Sequence, residues 1–204
     1  MQPLGAMTTF QSHSQASQDL FAWTMTEQKQ GGSFLDIGCN DAKFHSNTYA
    51  LEEYASWRGL LVDIVSGCES RRSPFIKCDA ANPNDKLKWH YKQLPDVTDF
   101  LSLDADDSTM GAFNSLPWDR VTFRVICAEH DAYRKGPELR DKMRVLLKAM
   151  GYFLCCSDVQ VEWPNPGDRN SFEDWWIRPE LVSPELVKKY QCESKYWKEI
   201  LVIP

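Results

Sequence analysis

Five short apolar runs in this chain each carry an acidic residue at or near their end. "SFLDIG" carries Asp36, "RGLLVDIV" Asp63, "PFIKCDA" Asp79, "DFLSLDAD" Asp104 and "FRVICAEH" Glu129. Continuous apolar runs of about 4–8 residues are the pattern of strands buried on both faces. Helical or breaker-rich stretches separate these runs. The alternation predicts an α/β fold: a mainly parallel central sheet with helices on both faces. Ligands of such sheets sit beyond the carboxyl ends of the strands. The acids that stop the runs therefore fall where a site belongs.

The remaining elements follow from periodicity. "QDLFAWTM", from Gln18 to Met25, predicts a helix with Leu20, Phe21 and Trp23 as apolar contacts, and "NTYALEEYASW" a second. In "LRDKMRVLLKAMG", Leu139, Met143, Leu146, Leu147 and Met150 recur at helical spacing, and Gly151 suits the exit. "DAYRKGPE" reads as a breaker-rich link. "YFLCCSDVQVEW" predicts one or two strands, "FEDWWI" another and "SPELVKKYQCES" a late helix, with "YWKEILVI" closing the chain. Residues 1–17 form a polar segment, and residues 18–204 a single domain long enough for a real core.

Charge and cysteine usage narrow the function class. A net charge of -6 repels a phosphate backbone, so the expectation is no nucleic-acid partner. No apolar span or signal core is present, which predicts no membrane partner and a cytoplasmic location. Seven cysteines in a domain of this size read as free thiols rather than a disulfide framework. Adjacent Cys155 and Cys156 would point to opposite faces of a strand. The expected partner is a small molecule; a homo-oligomer remains open.

Gly38 ends the first run and permits close approach of a ligand to the backbone. Neither a G-x-G-x-x-G pattern nor a lysine-bearing phosphate loop accompanies it, which favours a ligand without phosphate. Asp63 comes twenty-five residues later, at the spacing that delivers a carboxylate to ribose hydroxyls. Asp79 ends the third run, within reach of an adenine amino group. Asp36 lies between buried residues and must accept hydrogen bonds from a loop or a ligand's ammonium group. Asn40 and Asp41 either adjoin that ligand or cap the helix that follows.

"LSLDADD" places Asp104 and Asp106 on one face if the strand persists, and "ICAEHD" puts Glu129, His130 and Asp131 at the next exit. Adjacent parallel strands would join the two groups. Two chemistries are open: deprotonation of a hydroxyl by His130 or a carboxylate, or a divalent cation, magnesium or manganese, on Asp104, Asp106, Glu129 and His130. Crowded carboxylates without a nearby Lys or Arg favour a cation or a raised pKa. Trp163, Trp175, Trp176 and Tyr133 could wall an acceptor site, although adjacent Trp175 and Trp176 point opposite ways in a strand.

The stretches "SQASQDLF", "GGSFLDIGCNDAKFHSNTYALEEYASWRGLLVDI", "FLSLDADDS", "RVICAEHD" and "LLKAMGY" occur in an order that resembles the FkbM family of S-adenosylmethionine-dependent methyltransferases, over roughly residues 14–152. The resemblance implies a Rossmann-like class I methyltransferase fold and O-methylation of a hydroxyl on a sugar, polyol or glycosylated metabolite. It gives Asp36 and Gly38 to the methionine part of S-adenosylmethionine and Asp63 to its ribose. Gln18 and Asp19 would lie near the cofactor pocket, and Asp104, Glu129 and His130 would line the reaction centre. The chain departs from the family pattern at Ala42, a glycine position, and at Asp63, a glutamate position. "DADD" stands where the family has D-x-E-G. These departures define one alternative, a catalytically silent binding or assembly module. An NAD-dependent oxidoreductase, resting on Asp63, is another.

Overall fold

Side chains alternate across a strand, so each strand of a sheet buried on both faces supplies two cores. The computed structural model describes residues 10–201 and shows this division along one eight-stranded sheet. Its strands are β1 (Ser33–Ile37), β2 (Arg58–Asp63), β3 (Phe75–Lys77), β4 (Val97–Leu103), β5 (Thr122–Glu129), β6 (Phe153–Glu162), β7 (Arg169–Ile177) and β8 (Cys192–Glu193). They lie in the order β3-β2-β1-β4-β5-β7-β6-β8. β1 to β5 are mutually parallel, and β7 runs antiparallel between β5 and β6.

Phe34, Leu61, Phe100, Val125 and Trp175 face one side. There they pack with α1 (Gln18–Met25), α2 (Tyr49–Ala55) and, further along, α7 (Pro184–Tyr190). Their strand neighbours Leu35, Leu60, Leu101, Ile126 and Trp176 face the other. That side is covered by α3 (Asp85–Tyr91), α4 (Thr109–Ser115) and α6 (Glu138–Ala149), while α5 (Ala132–Lys135) is a single turn after β5. Each large side chain buried this way contributes about 1.5–3 kcal/mol. The expected mainly parallel sheet with helices on both faces is confirmed.

Several expectations change. α3 and α4 escape a periodicity reading because each spans two turns and buries only two or three side chains. β4 stops at Leu103, so Asp106 does not continue the strand; it sits at φ 48° in a 3-10 turn. The "DAYRKGPE" link holds the short α5. Cys155 and Cys156 do not separate to opposite faces: bulges in the β6–β7 pairing put both in the α1 core. Trp175 and Trp176 do separate, and both are fully buried, so neither walls an acceptor site. Residues 10–17 pack on the domain, with Phe10 stacked on Trp23 at 4.4 Å between ring centroids. Residues 1–9 of the polar segment, and 202–204 of the closing run, lie outside the described residues. Among the described residues, no helix is long and apolar enough to cross a membrane.

Candidate functional site

The chain leaves β1 for β2 on one side, and β4 lies on the other, so the crevice between their carboxyl ends is the switch point where such sheets bind ligands. Gly38 makes the turn there at φ 82°. Its N–H donates to the Val62 carbonyl at 2.8 Å, and the Asp104 N–H donates to the Ile37 carbonyl at 2.9 Å. A Cβ on residue 38 would lie 1.5 Å from the Asp104 carbonyl oxygen. Only glycine satisfies both the backbone angle and the space.

A cleft of about 430 Å³ opens beside this turn, lined by Gly38, Asn40, Asp63, Ile64, Asp79 and Asp104 among others. Its size is ordinary for a small-molecule site. The Asp63 carboxylate accepts from Asn40 N at 2.8 Å and Val65 N at 2.9 Å, tying the loops after β1 and β2 together. One lone pair on each oxygen remains for a ligand. Asp79 accepts from Ala81 N and Asn82 Nδ2, both at 2.8 Å; the Asn82 amide and then the Ala81 N–H hold its carboxyl below the usual range. Asn40 and Asp41 do not cap α2, which starts at Tyr49. Asp41 accepts from Lys43 N and Phe44 N instead, and Ser46 Oγ accepts from Tyr49 N.

Strand alternation sends a second set of polar groups to the α1–α2 side. Asp36 follows Phe34 on that face, Ser102 follows Phe100, and Glu129 stands opposite Glu173 in the β5–β7 register. Asp36 is buried and accepts from Thr48 Oγ1 at 2.7 Å. Burial raises its pKa against that bond and the charge of Arg71. Arg71 is itself locked by Glu52 at 2.6 Å and by Ser46 Oγ at 3.0 Å. Asp104 and Glu129 are close neighbours, and each carboxyl acts on the ionisation of the other. Burial first, then the Asp104 charge, pushes Glu129 far above the carboxylate range; burial lifts Asp104 to about 6. Glu173 is buried, accepts from Trp175 Nε1 at 2.7 Å, and is pushed by burial to about 8, with Gln18 nearby. Gln18 thus borders the acid strip, its Oε1 accepting from Ala16 N at 2.8 Å. Asp19 turns away from any ligand: its carboxylate takes Ser12 Oγ at 2.5 Å, Ser14 Oγ at 2.7 Å, His13 N at 2.9 Å and Leu20 N at 2.7 Å. It clasps residues 12–14 to α1.

His130 follows Glu129 by one residue and so points to the opposite, α6 side. There its Nε2 lies 3.6 Å from Asp174 Oδ1 and 3.9 Å from Asp158 Oδ1, without a hydrogen-bond partner, while Nδ1 accepts from Ala132 N at 3.1 Å. Arg144 grips Asp174 through two bonds of 2.7 Å and Asp158 through one of 2.9 Å; Arg140 adds a bond to Asp158 at 3.0 Å. Burial opposes ionisation of Asp174, but Arg144 and His130 outweigh it and bring the carboxyl down to about 2.

The four-residue ligand set of Asp104, Asp106, Glu129 and His130 is therefore divided. Among the described residues, the carboxylates able to converge on one ion at the strand exits are Asp106, Glu129 and Asp131, without Asp104 or His130. Asp131 pairs with Arg134, and Lys135 lies 3.0 Å from Asp107 and 3.7 Å from Asp131. The expectation of carboxylates without cationic neighbours is corrected: this set already holds its counter-charges, which does not fit a divalent ion. Tyr133 is half-buried close to Glu129 and Asp131, whereas Trp163 is exposed on the β6–β7 turn. Sequence reasoning missed Glu173, Asp174 and Asp158. The pair "ED" before "WWI" in a buried strand was the available signal, since alternation must bury both acids.

No family model matches this chain, and no curated protein matches it. Solved structures share its fold. A protein described as an rRNA methylase from Clostridium thermocellum matches with a TM-score of 0.53 at 13% identity, over 85% of this chain and 98% of that one. A protein described as a hemolysin from Lactococcus lactis gives 0.51 at 15%, over 81% and 88%. Precorrin-6Y C5,15-methyltransferase from Geobacter metallireducens GS-15 gives 0.50 at 13%, over 78% and 84%. These likenesses show the Rossmann-like methyltransferase fold.

Proposed function

We propose that the chain is an S-adenosylmethionine-dependent O-methyltransferase acting on a hydroxyl of a sugar, polyol or glycosylated small metabolite, in keeping with its resemblance to the FkbM family. One observation carries the reading. The cleft turned by Gly38 and held by Asp63 meets, at Asp104, a strip of carboxyl groups, half-buried at Asp104 and Glu129 and buried at Glu173, whose bonded partners include no lysine or arginine. A cationic ligand in the cleft and hydroxyl groups beside it would satisfy that strip.

The residues present fit S-adenosylmethionine, which supplies, when bound, a methyl group already activated on a positively charged sulfur. Asp63 would accept from the vicinal ribose hydroxyls with its remaining lone pairs, and Asp79 from the adenine amino group. Gly38 and Asn40 bring bare backbone to the ligand. Asp36 shapes the loop through Thr48 and adds negative potential. Gln18 borders Glu173, and Asp19 holds the segment in front of α1. An acceptor hydroxyl would donate to Asp104, and Asp104 would take up its proton, with Glu129 beside it. A carboxyl lifted to about 6 is a better base than an exposed one and is still ionised near neutrality. His130 is a positioning residue here, because it faces Asp174 on the other side of the sheet.

No divalent cation enters this reading, since Arg134 and Lys135 already balance Asp106, Asp107 and Asp131. Removing magnesium and manganese by chelation should leave the rate unchanged. The departures from the family pattern put no obstacle in the backbone of the site. Asp106 and Asp107 are exposed, and neither Asp107 nor Ala42 has the positive φ that would demand glycine. An NAD site is disfavoured because α2 begins at Tyr49, so no helix N-terminus stands at the Gly38 turn to receive a pyrophosphate. The acidic surface favours a small acceptor over nucleic acid, and seven free thiols accord with a cytoplasmic location.

Calorimetry on the folded chain with S-adenosylmethionine and S-adenosylhomocysteine tests the first half. No heat of binding at millimolar ligand sinks it. A screen of polyols, sugars and glycosylated metabolites for acceptor-dependent S-adenosylhomocysteine tests the second half. Cofactor binding with no turnover on any of them would favour the silent module.

A further inference from the structure

Far from the cleft, three cysteines gather where β6 meets the short edge strand β8. Cys156 and Cys192 are register partners on these parallel strands. Neighbouring strands lie about 4.8 Å apart, inside the Cα separation of about 4.4–6.8 Å that a disulfide spans. Cys156 is fully buried, and its thiol donates to the Tyr190 carbonyl at 3.2 Å. Cys192 is half-buried and lines an open groove of about 490 Å³ together with Cys155, Arg144 and Lys148. A partly exposed thiol with Lys195 close by, backed by a second thiol, is a setting in which cysteines react.

We propose that Cys192 and Cys156 form a peroxide-sensitive dithiol, with Cys192 attacking and Cys156 resolving. The Cys192 thiolate attacks a peroxide oxygen: an S–O bond forms, the O–O bond breaks, and water leaves after protonation. Cys156 sulfur then attacks the Cys192 sulfenic acid: an S–S bond forms, the S–O bond breaks, and a second water leaves. Two thiols lose two electrons, and one hydrogen peroxide becomes two waters. The division of labour follows from the surroundings. The Cys156 thiol beside it lowers the Cys192 pKa, burial opposes this, and Lys195 assists. The neighbouring thiols Cys155 and Cys192, then burial, raise that of Cys156. Cys192 is thus the more readily ionised of the two and the more exposed; Cys156 lies behind it.

The full chain treated with one equivalent of hydrogen peroxide should lose two of its seven alkylatable thiols. Tryptic mapping should then join peptide 190–195 to peptide 149–169. Dithiothreitol should restore both thiols. In Cys192→Ser the rate of thiol loss should fall on the order of tenfold. In Cys156→Ser, Cys192 should stop as a sulfenic acid that dimedone traps, while Cys155→Ser should keep the link. Because Cys192 lies at a sheet edge, its serine variant tests the proposal even if the buried variant fails to fold. Unchanged thiol loss in Cys192→Ser, or a link that persists in Cys156→Ser and vanishes in Cys155→Ser, overturns it.

Discussion

Two polar clusters sit back to back at one end of the sheet, built from neighbours in the chain. Glu129 and Glu173 face α1, while His130 and Asp174 face α6. On the α6 side, two arginines meet two aspartates at 2.7–3.0 Å, and a buried carboxyl is stabilised as an anion. On the α1 side, three carboxyl groups press on one another, and burial favours their protonated forms. A compensated cluster ties elements together; an uncompensated one stores a demand for ligand. Which of the two a residue joins is decided by strand parity.

The largest expected effect breaks the α1 side. Asp104→Asn should lower turnover about a hundredfold or more, because the base is lost. Its circular dichroism should match the parent, since the amide keeps the size and shape of the carboxyl. In the parent, the rate should climb with pH through about 6 as Asp104 ionises, and then level off. A flat profile there would assign the base elsewhere.

Breaking the α6 side should instead cost stability. Arg144→Met leaves Asp174 and Asp158 buried without their main counter-charge, for a loss on the order of 3 kcal/mol in urea unfolding. Unchanged stability would mean that this cluster is not the tie it resembles.

Adjacent Glu173 and Asp174 should give opposite pH dependences, each with a limiting slope of about 1.4 kcal/mol per pH unit. Glu173 has its folded pKa raised to about 8. The stability it contributes is full below its unfolded pKa of about 4.3 and is lost as pH rises towards 8. Asp174 has its folded pKa lowered to about 2. Its contribution is full above its unfolded pKa of about 3.9 and is lost as pH falls towards 2. Denaturant titrations of Glu173→Gln and Asp174→Asn against the parent, across both windows, would show whether the signs differ.

Smaller effects sharpen the contrast. Asp63→Ala should weaken S-adenosylmethionine binding about tenfold by calorimetry, as one charged acceptor of two hydroxyls disappears. Asp106→Asn should shift stability by less than about 1 kcal/mol, because its ion pairs are exposed.

Much of this arrangement was legible from local pattern. Gly38 and the five acids mark strand exits, and the parallel sheet follows from runs and crossovers. What escaped depends on partners distant in sequence. His130 could be assigned to the wrong group because nothing local says which face is the α1 face. Alternation in "FEDWWI" buries Glu173 and Asp174, but their partners follow only from the insertion of β7 between β5 and β6. Cys155 and Cys156 broke the alternation rule through a bulge that pairing, not propensity, creates. Helices α3 and α4 were too short to show a period.

The reversed direction of β7 has a consequence for the order in which a working molecule comes into being. A parallel strand delivers its last residues to the ligand edge, whereas β7 delivers its mid-strand pair Glu173 and Asp174 from the returning arm of a hairpin. A ribosome that has extruded β1 to β5 has already made every loop of the cleft, yet Glu129 still lacks the strand that pairs with it. The carboxyl strip closes only when the hairpin docks, and that contact spans a long stretch of chain, which makes it slow to form. A nascent or truncated chain ending before residue 169 should therefore offer a cofactor cleft beside an open, hydrated reaction centre, and chemistry should wait for the last quarter of the sequence.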